Sequence, residues 1–489
     1  MKRVLTLALA AALALSLAGA AWAVEVKFSG EWNFAFGWAD NEDFHDGDGE
    51  DDFLARQRLR TQAEFIVSEN LSGVLQLEIG NLEWGRDAED GGKVGEGAGG
   101  SIDTDGVNVE TRLAYVDWVI PSTDVSVRMG LQDLILPDAT GWGNPVLNSD
   151  LAAVAVSIPF TEQIGLTAIW ARPFDASGSD NDDNHNLADE MDIFALILPI
   201  DCKDLSFNLT PWAAYSRVGA SSGFLEYVLG NSNNDAFAAG GIDSVRGGDS
   251  ADIWWGGLAF ELSAFDPLTF GLDFMYGHTG KLEYEALDED ETSLGDMDFR
   301  TSGWLLAATL DYALDWGSVG IFGWYASGDD ADDAEDGEYG RLPALGFDNG
   351  FAPTGFGGPG SFSIGSDTAV SATFLGTWGV GLKLGEWSFV EDLSHTLRLS
   401  YYRGTNEHDV VEGGYGLAFS GESVYLTDKD SAFEINFDHN YKIYENLELI
   451  VELGYIHLSL DDDVWDNIDD DYAETSNAWK AQALLQYNF

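Results

Sequence analysis

The sequence predicts an all-β fold: a transmembrane antiparallel β-barrel of about eighteen strands, running as a single domain over residues 24–489. Three observations carry this. Apolar and polar residues alternate with a period of two along most of the chain. Short turns alternate with long polar connections. The chain opens on an export signal, yet no later stretch approaches the 18 or so apolar residues of a membrane-spanning helix, the longest candidate being Ile193 to Ile200.

Composition bounds the rest. Asp and Glu number 85 against 23 Lys and Arg, a formal charge of −62, which argues against a nucleic-acid partner. Hydrophobic residues make up 45% and aromatics 13%, too many for a disordered acidic polymer. The one cysteine, Cys202, excludes an intramolecular disulfide and reads as an incidental turn residue. The histidines at 45, 185, 278, 395, 408, 439 and 457 are scattered singly, so no metal site and no cofactor is expected. No grouping of Ser, His and carboxylate suggests an enzyme, and no tandem Gly-Gly-x-Gly-x-Asp repeat suggests a calcium-loaded solenoid.

Element by element, Lys2 and Arg3 precede an apolar run from Val4 to about Leu17, and Ala21-Trp22-Ala23 suits cleavage after Ala23, so residues 1–23 read as a signal peptide. The strands then fall at 24–39, 53–67, 71–84, 107–119, 124–132, 151–158, 163–172, 190–199, 204–217, 251–263, 267–285, 297–313, 317–326, 368–384, 394–404, 430–443, 446–459 and 477–489. Alternation is cleanest at Leu75-Gln-Leu-Glu-Ile79, at Leu268 to Tyr276, at Phe433 to Ile443 and from Trp479 to Phe489. Strands 151–158 and 190–199 alternate poorly and 385–393 makes a long turn, so sixteen strands is the alternative count. Tight links at Ser68-Glu-Asn70, Pro121-Ser-Thr123, Phe160-Thr-Glu162, Asp201-Cys-Lys203, Phe265-Asp-Pro267, Leu314-Asp-Trp316 and Tyr444-Glu445 interleave with long segments, the rhythm of a bacterial outer-membrane barrel with periplasmic turns and extracellular loops.

Charge placement suggests where chemistry resides. Arg56, Arg58 and Arg60 stand at spacing two on one strand face, followed by Gln62 and Glu64, with Phe53, Leu59, Phe65 and Val67 opposite. An Arg facing mid-bilayer lipid costs about 2–4 kcal/mol, so the arginines line the lumen. Arg128 joins them by the same alternation, and so does Arg112 on a less regular strand. They read either as a basic stripe that orients solutes and selects ions or as neutralisers of inward carboxylates such as Glu64, Glu78 and Glu110. The third long segment, about 133–150, carries Leu134, Ile135, Leu136, Trp142, Val146 and Leu147, more apolar than a solvated tip requires. It is expected to fold inward, with Asp133 and Asp138 facing the arginines across a constriction; packing on a neighbouring subunit or a short surface helix is the alternative. Acidic clusters at 40–52, 329–336 and 461–471 read as hydrated mouths that concentrate cations, with loosely bound Ca²⁺ or Mg²⁺ bridging to lipid headgroups as a further possibility.

The opening strand Val24-Glu-Val-Lys-Phe-Ser-Gly-Glu-Trp32, the turn-and-loop rhythm and the terminal Tyr487-Asn-Phe489 resemble a Gram-negative outer-membrane porin. With Gly130-Leu-Gln132 and Leu136-Pro137 the chain is similar, more narrowly, to the homotrimeric porins of sulfate-reducing bacteria. The resemblance implies a homotrimer of pores in the outer membrane, embedded among lipid and lipopolysaccharide, with Phe489 read by the barrel-assembly machinery. It also implies a basic wall of Arg56, Arg58, Arg60, Arg112 and Arg128 facing acidic Asp133 and Asp138. A Pro-Glu-Phe-Gly-type third-loop segment is absent, and Gly141-Trp-Gly-Asn-Pro145 stands in its region. The expected function is passive diffusion of ions and small hydrophilic solutes with a modest cation preference. The alternatives are a channel selective for organic acids or sugars along the arginine stripe, which eighteen strands fit better than sixteen, and a non-conducting structural or adhesive barrel.

Overall fold

The computed structural model describes residues 24–41, 44, 52–85, 109–175, 190–219, 244–247, 250–287, 293–334, 336–345, 351–356, 362, 364, 374–412, 419–420, 423–465 and 477–489. Residues 1–23, and with them the signal peptide, lie outside the described residues, as do most of the acidic segments 40–52 and 461–471. The wall is a closed antiparallel barrel of 18 strands. In chain order they are β1 (Glu25–Asp40), β2 (Asp52–Ser68), β3 (Leu71–Glu83), β4 (Val109–Val119), β5 (Ser126–Ile135), β6 (Asn148–Pro159), β7 (Gly165–Asp175), β8 (Glu190–Ile197), β9 (Phe207–Val218), β10 (Ala251–Phe265), β11 (Leu268–Thr279), β12 (Ser293–Leu314), β13 (Gly317–Ala326), β14 (Thr377–Val390), β15 (Leu393–Gly404), β16 (Ser431–Tyr444), β17 (Leu447–Ser459) and β18 (Ala478–Asn488).

Each strand pairs with its neighbours in sequence, and β1 closes the ring on β18 from Glu31 opposite Asn488 to Asp40 opposite Trp479. Phe489 extends this seam, exchanging backbone hydrogen bonds with Gly30 at 2.9 and 3.0 Å. Closure leaves no open edge in the ring itself, the condition for a β-structure in hydrocarbon. The strand count is eighteen, because residues 385–390 continue β14 rather than forming a turn, with the reversal confined to Glu391 and Asp392. Asp392 takes the left-handed conformation there, with φ 64°.

Alternation sorts the side chains. On β11, Phe274 and Tyr276 are exposed on the outside while Gly271, Asp273, Met275 and Gly277 are buried on the inside. On β18, Ala478, Lys480, Gln482 and Leu484 are buried inward. Outward aromatics, among them Trp38, Trp170, Trp254 and Trp304 toward the loop end and Phe65, Phe389 and Tyr444 toward the turn end, suit the two membrane interfaces.

The hydrophobic core lies inside the barrel. Inward residues of β6 to β13, including Ala153, Ile169, Ile193, Trp212, Ile253, Met275 and Leu305, pack with Leu136, Val146, Leu147, Leu342 and Phe351 from two long connections. Gly303 is required at one such contact, since a Cβ there would collide with the backbone of Arg341 and Leu342. Above β13 to β17 the connections interlock around buried carboxylates. Asp329, read from sequence as part of a hydrated acidic face, is instead 2% exposed. It accepts hydrogen bonds from Gly340 N, Arg341 N and the Tyr425 hydroxyl and pairs with the Arg341 guanidinium at 2.8 Å. Burial beside that carboxylate pushes the Tyr425 phenol well above its ordinary range. Asp430 ties Thr427, Asp461 N and the fully buried Trp465 indole in the same way.

Candidate pore constriction

Two of the connections can be followed inside the barrel through their described residues. The first, between β5 and β6, is pinched at its base by a Leu136 N to Leu147 O hydrogen bond of 3.0 Å. Gly141 and Gly143, at φ 76° and 86°, let it double back, and Asn144 braces the bend by donating to Pro137 O and accepting from Val146 N. The tip reaches well round the wall to β11, where Asp273 accepts from Ala139 N (2.7 Å), Thr140 N (2.9 Å) and Thr140 Oγ1 (2.7 Å). Gly271 makes room for this contact, because a Cβ there would lie 2.6 Å from the Ala139 carbonyl oxygen. Trp142 packs edge-on against Phe322 and Trp324 of β13, with ring centroids 5.5 and 6.4 Å away.

The second connection, between β13 and β14, follows the opposite part of the wall. Glu434 of β16, wholly buried, accepts from Gly355 N and Phe356 N at 3.1 and 2.8 Å. Ile364 donates its N–H to Gln482 (2.6 Å) and accepts from Lys480 Nζ (3.2 Å), which also pairs with buried Glu452 at 2.8 Å. The two connections meet, through Leu345 N to Val146 O (3.1 Å) and Ala352 N to Trp142 O (2.9 Å). Together they cover the apolar inner faces of β6 to β13 and reach β16, β18 and β1, while charged side chains stand on the inner faces of β1 to β6.

One group of charged residues gathers on the inner faces of β1 to β6. Arg56, Arg58 and Arg60 of β2 stand opposite Ala35, Asn33 and Glu31 of β1. Arg60 pairs with Glu78 of β3 at 2.6 Å, and Glu31 is held by Gln486 and Asn33. Arg112 pairs with Asp150, the third residue of β6, at 2.7 Å. Asp133 sits opposite Asp150 in the β5–β6 register, close enough to Arg112 and Arg60 for their charges to act on it. Arg58 likewise feels Arg60, Glu78, Glu31 and Arg112. Phe362, from the second connection, lies under both upper guanidiniums, 5.0 Å from Arg56 and 4.8 Å from Arg58.

The remaining residues singled out in the sequence lie elsewhere. Arg128 is near the turn end of β5, in a bidentate pair with Asp117 (2.8 and 2.9 Å) and 4.2 Å above the Tyr115 ring. Asp138 accepts from Gly141 N at 2.5 Å and serves its own turn rather than the arginines. Asp150 takes the acidic place assigned to Asp138. Its position at a strand start was the available signal. Phe362, Asp273 and Glu434 went unnoticed, and only the aromatic spacing within the glycine-rich 355–364 stretch hinted at one of them.

No family model matches this sequence, and no curated protein sequence does either. Solved structures do match. OccAB1 of Acinetobacter baumannii superposes with a TM-score of 0.51 at 12% identity, over 95% of this chain and 97% of that one. OccAB3 of the same organism gives 0.51 at 11%, over 95% and 99%. The outer membrane protein OpdK of Pseudomonas aeruginosa gives 0.50 at 9%, over 95% and 98%. Such identities speak for the fold alone, and the chain has the fold of these outer-membrane barrels. None of the three comes from a sulfate-reducing bacterium, so the narrower resemblance finds no support in them.

Proposed function

We propose that this protein is a solute-selective outer-membrane channel, passing small organic acids by diffusion, rather than a wide general porin. The observation that carries the reading is the charged group itself. Arg56, Arg60 and Arg112 stand with the carboxylates Glu31, Glu78, Asp133 and Asp150 on the inner faces of β1 to β6, with Arg58 buried among them. Guanidiniums in a fixed row are forked donors suited to a carboxylate, and adjacent acids keep the attraction weak enough for release. The fold shared with OccAB1, OccAB3 and OpdK supports a channel. The excess of acidic residues favours a modest preference for small cations over small anions at low salt. Assembly in threes belongs to the same proposal and rests on the sequence resemblance.

The test is planar-bilayer recording of the purified protein under a KCl gradient, with small carboxylates and neutral sugars of matched size added in turn. Stepwise openings with a K⁺-directed reversal potential, and current reduced saturably by the carboxylates, support the reading. Equal, non-saturating passage of acids and sugars would return the protein to a general porin, and absence of openings would leave a structural barrel. Openings in groups of three report the trimer.

A further inference from the structure

We infer that Phe362 is a specificity-determining residue: its ring withholds Arg58 from permeating ions and so sets how anion-friendly the passage is. This rests on the channel reading above. The ring is 3% exposed, seated among Ala35 of β1, Ile450 of β17 and Leu484 of β18. It reaches that seat because Ile364, two residues on, is held by Gln482 and Lys480. Its face carries both guanidiniums at cation–π distance. Arg58 is left 5% exposed, whereas Arg60, one step further along the same strand face and beyond the ring, keeps a fifth of its side chain exposed. Of the three arginines Arg58 is thus the one kept from the passage, while Arg56 and Arg60 on either side of it stay partly exposed. The seat is built for a ring by the smallness of Ala35, itself wholly buried. A larger residue there would expel Phe362 from the wall side.

The measurement is the Cl⁻/K⁺ permeability ratio, from reversal potentials under a KCl gradient, for Phe362→Ala, Phe362→Leu and Ala35→Leu, each in the native background and with Arg56→Gln and Arg58→Gln. Phe362→Ala is expected to raise the ratio about threefold by uncovering the Arg58 guanidinium, Ala35→Leu to do the same, and Phe362→Leu, which refills the seat without a π face, to do less. All these shifts should vanish in the Arg56→Gln/Arg58→Gln background, whereas a merely structural loss of packing would widen the path in both. An unchanged ratio in an open Phe362→Ala channel, or a shift that persists without the arginines, overturns the inference. Should Phe362→Ala fail to assemble, the Ala35→Leu ratio decides alone. Failure of the native protein to conduct would sink the channel reading instead, and is distinguishable from either result.

Discussion

Replacing Asp273 by Ala should unlatch the first lumen segment. The carboxylate is 2% exposed and receives three hydrogen bonds, two from backbone N–H groups and one from the Thr140 hydroxyl. Bonds to an ionised acceptor are worth about 1.5–3 kcal/mol each, but a released tip regains water, so a net loss of about 3 kcal/mol is reasonable. That moves the latched-to-free ratio by about two orders of magnitude. Thr140→Val removes one of the three bonds and should shift it by about tenfold. Gly271→Ala attacks the same contact from the backbone side, because its methyl would meet both the Ala139 carbonyl oxygen at 2.6 Å and Thr309 Oγ1 at 2.7 Å. The assay is single-channel conductance and open-channel noise in a planar bilayer. Asp273→Ala and Gly271→Ala should each raise mean conductance and add flicker, with Thr140→Val intermediate. Quiet, native-sized openings from both Asp273→Ala and Gly271→Ala would refute the claim that this anchor holds the segment in the path.

Other perturbations separate wall, plug and core. Arg112→Ala frees Asp150 and should move the reversal potential toward K⁺, whereas Asp150→Asn frees Arg112 and should move it toward Cl⁻, each by about two- to threefold in permeability ratio. Glu434→Ala deprives Gly355 N, Phe356 N, the Asn436 amide and the Tyr402 hydroxyl of one buried acceptor, costing about 3 kcal/mol or more; the second segment should become a protease target in folded, detergent-solubilised protein. Lys480→Met leaves Glu452 charged and buried, a penalty of about 3–5 kcal/mol, and should lower the temperature at which the barrel loses its compact electrophoretic mobility. Adding Glu452→Leu should restore most of it.

Where one strand face meets lipid and the other meets water, the fold was legible. β3, β16 and β18 stand out by alternation alone, and the inward row of Arg56, Arg58 and Arg60 follows from the same parity. The reading weakened where the lumen is dry. On β8, Ile193 and Ala195 face the internal core and Phe194 and Leu196 face outward, so Ile193 to Ile200 reads as an unbroken apolar run with no period. Of the candidate site, Arg112 and Asp133 stand out in the sequence by charge and loop position. Asp150, Phe362 and Asp273 do not, because what joins them is the return of a distant connection to the wall, and neither Gly271 nor Ala35 shows in isolation that something must fit against it.

The internal core has a consequence for the chain before it reaches its membrane. Through β6 to β13 much of the sheet is greasy on both faces, and its inner face is covered only once Leu136, Val146 and Leu147 of one connection and Leu342 and Phe351 of the other have entered. A chain in transit across an aqueous compartment therefore presents more apolar surface through these strands than a barrel with a wet bore would. It should be unusually dependent on holdase chaperones. Its slow step in assembly should be the tucking-in of those two connections rather than the zipping of β1 to β18.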